Sequence, residues 1–66
     1  MNQPKRICIY PKDIMRITGK TERYGRKLLD RIRTKNLKTE DQFITIEEFC
    51  DYSGLKIEQV LPLIID

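Results

Sequence analysis

The chain has no histidine and only two cysteines, and its longest apolar stretch, Leu61 to Ile65, is interrupted by Pro62. Each shortage removes a class of function. Without histidine there is no general base poised near neutral pH, and Cys8 and Cys50 alone cannot complete a zinc site. No phosphate-cradling glycine loop and no nucleophile motif occurs, so no catalysis, cofactor or small-molecule substrate is expected. Glu47, Glu48 and Asp51 lack the further carboxylates at loop spacing that a cation site needs. The apolar stretch is far too short to span a bilayer. The amino terminus is polar and basic, without an apolar run of signal-peptide length, which together with two thiols predicts a cytoplasmic, reducing location and no disulfide. At 66 residues and 39% apolar content, the chain reads as one domain near the lower limit for folding on its own core.

What is present is one pattern used twice, thirty-five residues apart. Ile9-Tyr10-Pro11-Lys12-Asp13-Ile14-Met15-Arg16-Ile17-Thr18-Gly19 aligns with Ile44-Thr45-Ile46-Glu47-Glu48-Phe49-Cys50-Asp51-Tyr52-Ser53-Gly54. Asp13 meets Glu48, Thr18 meets Ser53, Gly19 meets Gly54, and farther on Leu28 and Leu29 meet Leu63 and Ile64. The copies differ in charge. Residues 1–38 hold twelve Lys/Arg and three Asp/Glu, or +9, while residues 39–66 hold one Lys and seven Asp/Glu, or −6, giving the net +3. A scaffold used once basic and once acidic points to a polyanion on the basic copy, with the acidic copy as support.

Along the chain, Met1 to Lys5 reads as a loose tail and Arg6 to Tyr10 as a short strand. Pro11 suits the first position of a helix, Asp13 its first turn and Gly19 its end, with Ile14, Ile17 and Met15 forming the buried stripe. Thr21 caps a second helix running to about Lys35, whose inward face is Gly25, Leu28, Leu29 and Ile32. Asn36 to Asp41 is a loop, and Phe43 to Ile46 a second short strand. Thr45 and Glu48 form a capping box that opens the third helix, in which Phe49, Cys50 and Tyr52 supply bulk. Pro62 predicts that the last helix, about Ile57 to Ile64, is short or kinked. The expected fold is therefore mainly α: a tandem pseudo-repeat of strand-helix-turn-helix with a minimal two-stranded antiparallel β element. The single domain, 1–66, comprises a basic copy, 6–35, and an acidic copy, 42–65.

Helix, glycine turn and capped basic helix are the parts of a helix-turn-helix, in which one helix holds a second at the angle a major groove accepts. Arg23, Arg26 and Lys27 lie on the outer face of the second helix and are the expected base-facing residues. Arg16, Lys20, Thr21 and Arg31 flank them and suit phosphates, which position a protein without reading sequence. Glu22 can accept from a cytosine amino group or serve as a first-turn acid, and Tyr24 can stack on DNA or cover the core margin. The segment Asp13 to Ile32 resembles the small bacterial helix-turn-helix regulators and excisionase-like proteins of mobile elements. The resemblance is close over about twenty residues and looser, through the repeat, over most of the chain. It implies a transcriptional or recombination regulator that binds double-stranded DNA. Two positions depart from the family: Met15 stands where a small residue is usual, and Gly25 where a branched apolar one is. The expectation is that Met15 fills the space Gly25 leaves. In the acidic copy Gln59, Leu61 and Pro62 replace Tyr24, Arg26 and Lys27, so the charge is gone.

Two further surfaces follow. Leu61, Leu63, Ile64 and Ile65 serve either as a core plug across both copies or as a homodimer or partner-protein surface. The alternative to DNA binding is a protein-interaction module that associates through its oppositely charged halves. Helical RNA is a poorer partner, because its deep, narrow groove excludes a helix.

Overall fold

Pro11 opens α1 (Pro11–Thr18), where its missing N–H would be unpaired in any case. The computed structural model describes residues 6–64, so the tail Met1 to Lys5 and Ile65 of the suggested partner surface lie outside the described residues. After α1 come α2 (Glu22–Lys35), α3 (Ile46–Ser53) and α4 (Ile57–Val60), the last passing into a 3₁₀ turn, Leu61–Leu63. α1 packs against α2, α2 against α3 and α3 against α4, while the 3₁₀ turn returns to α1. Pro62 accounts for the change of helix type: it has no N–H to donate to Glu58, and its ring crowds that carbonyl.

The repeat is visible in the packing. Ile9 and Ile44, Ile14 and Phe49, and Leu29 and Ile64 are equivalent pairs, and all six are buried in a single core. Each copy thus supplies the other's apolar partners. Ile64 belongs to this core and Leu61 packs against it, while Pro62 and Leu63, the latter 37% exposed, face outward.

The two helix-ending turns share their backbone bond and one hydroxyl bond. Gly19 and Gly54 adopt φ of 75° and 82°, a left-handed conformation that costs glycine nothing. Their N–H groups donate to the carbonyls of Met15 (2.8 Å) and Cys50 (2.9 Å), themselves equivalent residues. The Thr18 and Ser53 hydroxyls then accept from Lys20 N–H (3.1 Å) and Leu55 N–H (3.3 Å).

The expected two-stranded β element is not formed. Among the described residues there are helices and no strand, only one isolated antiparallel bridge, Cys8 to Thr45. Ile9 N–H donates to the Ile44 carbonyl at 2.9 Å and Ile46 N–H to that of Ile7 at 2.8 Å, so equivalent residues of the two copies do meet. The ladder goes no farther because helices begin at once at its ends, at Pro11, which has no N–H to give, and at Ile46, and its outer sides are occupied as well. In the basic copy the Asp13 carboxylate accepts from Tyr10 N–H (2.8 Å), and Arg6 donates to the Cys8 carbonyl (2.9 Å). In the acidic copy Glu48 accepts from Thr45 N–H (2.9 Å), and Lys38 donates to the Phe43 carbonyl (2.7 Å). Cation and carboxylate also pair at each helix start, Arg6 with Asp13 and Lys38, from the loop between the copies, with Glu48. Side chains have taken the backbone groups that a widening sheet would use.

Asp13 is fully buried, and its oxygens receive the Arg6 guanidinium at 2.7 and 2.9 Å. Burial raises its pKa, but the bonds from Arg6 and Tyr10 N–H and the charges of Arg6 and Lys12 outweigh burial, so the carboxyl sits below its ordinary value. Glu48 is likewise held low: burial is outweighed by Lys38, by the Thr45 N–H and by Asn36. Cys8 and Cys50 are both free thiols, and burial, then the Asp51 and Glu47 charges, pushes Cys50 upward and away from reactivity.

Candidate nucleic-acid interface

α2 owes its start to Thr21, whose hydroxyl accepts from Tyr24 N–H at 3.2 Å. A hydroxyl that accepts in this way keeps its own proton for an outside acceptor such as a phosphate oxygen. One face of the helix is buried through Gly25, Leu28, Leu29 and Ile32. At about 100° per residue, Arg23 and Lys27 stand nearly opposite that face, with Arg26 about 70° to one side of its opposite and Arg31 about 70° to the other. All four are exposed.

Their electrostatic states differ. The side chains of Arg23, Lys27 and Arg31 have no ion pair or hydrogen bond among the described residues. Arg26 pairs with Glu22 at 3.0 Å, one helical turn back, with both side chains mostly in water. Such a pair is worth about 0.3–0.5 kcal/mol, a small obstacle to a phosphate or a base edge. Glu22 is thereby engaged by Arg26 as well as placed at the positive end of the helix. Lys20 lies over the Tyr24 ring, 5.6 Å from its centre, and Tyr24 is 36% exposed at the core margin. Arg16 is drawn into the fold: it donates to the Leu63 carbonyl at 3.0 Å and stands 3.6 Å from Asp13. Of the four residues expected on phosphates, Arg16 has the least left to offer.

The approach of α1 to α2 differs from the expectation. Met15 does not fill the space beside Gly25; it remains 38% exposed. Pro11 comes up against Gly25 instead, so closely that a Cβ there would lie 3.1 Å from the Pro11 carbonyl oxygen and 3.2 Å from its Cα. Glycine at 25 is the condition for this close crossing, because backbone atoms cannot swing aside. What sequence spacing failed to reveal is the role of Arg6 and Lys38, which secure the starts of α1 and α3. Their distances from the carboxylates, seven and ten residues, break the thirty-five-residue register.

The carboxylates are segregated too. Glu40, Asp41, Glu47, Asp51 and Glu58 are exposed and have no ion pair among the described residues, and all lie in the loop or the acidic copy. Among the described residues no helix is long and apolar enough to cross a membrane. No protein-family model matches the chain, and no curated protein or solved structure does either.

Proposed function

We propose that this chain binds double-stranded DNA as a helix-turn-helix, with α1 and the Gly19 turn holding α2 in the major groove. The observation that carries the reading is the pair Arg23 and Lys27: exposed, opposite the buried face of a capped helix, and without an internal partner. Leaving cations unpaired on a helix while five carboxylates elsewhere also lack partners makes sense if an outside polyanion completes the arrangement. Arg23, Arg26 and Lys27 face the bases in this reading, and Lys20, Thr21 and Arg31 the phosphates, with a lesser part for Arg16. The biological role that goes with it is regulation of transcription or recombination in the bacterial cytoplasm, on a chromosome or a mobile element.

The test is fluorescence anisotropy on random duplex DNA at two salt concentrations, comparing wild type with an Arg23→Glu/Lys27→Glu variant. That pair avoids Arg26, whose reversal would set two acids one turn apart at Glu22. Micromolar binding that weakens steeply with salt and is lost in the variant is the expected result. A folded wild type that binds no duplex at low salt would overturn it.

The unpaired carboxylates favour a second reading, in which the acidic copy of one molecule docks on the basic helix of another. Sedimentation separates the two. Charge reversal at positions 23 and 27 dissolves oligomers in the second reading and leaves the association state unchanged in the first.

A further inference from the structure

α2 carries a cation at every fourth position, Arg23, Lys27, Arg31 and Lys35, which forms a slanted stripe roughly 18 Å long. Its last member lies outside the face assigned to DNA above, because the stripe drifts about 40° around the helix with each step. That drift brings it to the border between α2 and α3. There Asp30, Arg31, Thr34, Lys35 and Tyr52 line a shallow cleft of about 400 Å³. The Lys35 ammonium stands over the Tyr52 ring, 5.7 Å from its centre. Tyr52 comes from the acidic copy and is 38% exposed.

The chemistry of the cleft is one-sided. The Arg31 guanidinium and the Tyr52 hydroxyl have no hydrogen bond among the described residues, and Lys35 has only the ring beneath it. Asp30, the one carboxylate present, is held by Arg33 at 2.9 Å, and the Thr34 hydroxyl donates back to the Asp30 carbonyl at 3.0 Å. Two cations and a phenol O–H thus line one cleft with no acceptor bound to any of them. An oxyanion with several acceptor atoms satisfies all three, and a phosphodiester does so while its sugar lies against the ring. The end of a helix is otherwise a poor place for an anion, since its dipole is negative there, and two cations offset that.

We infer that the cleft formed by Arg31, Lys35 and Tyr52 holds a backbone phosphate of the DNA strand that α2 follows, so that the acidic copy contributes Tyr52 to the interface. This rests on the DNA-binding reading of α2 and extends it: the second copy supports the first and also touches the ligand at one residue. Lys35 acts through charge, and Tyr52 through a hydroxyl and a ring face.

The experiment is a salt series of duplex titrations with wild type, Lys35→Ala and Tyr52→Phe, alongside Arg23→Glu/Lys27→Glu. Lys35→Ala is expected to weaken binding on every sequence alike and to reduce the slope of log K against log salt by about 0.9, the loss of one phosphate contact. Tyr52→Phe removes only the hydroxyl, so affinity falls about threefold to tenfold and the salt slope stays the same. If both variants bind like wild type while Arg23→Glu/Lys27→Glu does not bind, the cleft proposal is overturned and the α2 reading stands. If wild type itself fails to bind, both fall. A parallel titration with inorganic phosphate, following the Tyr52 ring protons by NMR, gives the contrast. A response to millimolar phosphate with none to duplex would mean a free-anion site and would also overturn the proposal.

Discussion

Replacing Asp13 with asparagine changes one atom type in the most buried polar site among the described residues. The carboxylate has no exposed surface, and it accepts two bonds from Arg6 and one from Tyr10 N–H. The carboxamide of Asp13→Asn keeps one acceptor oxygen and turns an NH₂ group toward a guanidinium. Arg6, whose side chain is only 14% exposed, then keeps its charge and faces an amide where the Asp13 carboxylate was. Removing one partner from a buried ion pair costs about 3–5 kcal/mol. At 66 residues the whole fold is worth about 3–10 kcal/mol, so the variant should lose between about a third of its stability and all of it. Urea titration followed by circular dichroism at pH 7 measures this. The same titration with Arg6→Gln, alone and combined with Asp13→Asn, isolates the coupling, and the asparagine should cost less once the guanidinium is gone. A loss below about 1 kcal/mol for Asp13→Asn in the wild-type background would refute the reasoning, because it would equate this pair with a solvated surface pair.

Stability should also follow pH with a definite sign. The folded pKa values of Asp13 and Glu48 both lie below their ordinary values, so the folded state binds fewer protons than the unfolded chain near pH 4. Their contribution is complete above the unfolded carboxylate pKa and is lost as pH falls through the folded values. Melting temperature recorded from pH 7 downward should therefore drop on the acid side, and a profile that is flat there would contradict it. Gly25→Leu forces Pro11 and α1 away from α2, with a cost of about 1–3 kcal/mol in urea titration and weaker duplex binding. Thr45→Ala removes the acceptor for Glu48 N–H at 3.0 Å and should cost about 1 kcal/mol by the same assay. Leu37 adopts φ of 57° with its side chain 91% exposed, so Leu37→Gly should stabilise by about 1 kcal/mol and raise the melting temperature by roughly 4–8 °C. A lower melting point for that variant would refute this.

The helices were legible because their signals are local. Pro11, Thr21, Thr45, Gly19 and Gly54 act on the backbone within a turn of themselves, and all five stand at helix ends. The inward face of α2 was equally plain from the spacing of Leu28, Leu29 and Ile32. The errors concern contacts between segments. A run such as Ile7-Cys8-Ile9-Tyr10 has the composition of a strand, and nothing local shows that Arg6 and Asp13 will occupy its outer edge. Met15 beside Gly25 was a reasonable pairing by volume, but which side of α1 meets α2 depends on a crossing that those two residues do not determine. At the candidate interface, the outward direction of Arg23, Arg26 and Lys27 followed from periodicity. That Arg16 is bonded to Leu63, forty-seven residues away, did not.

The four side-chain bonds around the Cys8–Thr45 bridge have a meaning beyond the single molecule. Open edges of extended chain invite other chains to add on, and through them crowded proteins begin to form fibres. Here each edge is closed by a cation on one carbonyl and a carboxylate on one N–H, so a neighbouring molecule finds these groups already taken. Both closures depend on ionised acids. Acid strong enough to protonate Asp13 and Glu48 reopens the two edges together, and aggregation and unfolding should then set in over the same pH range.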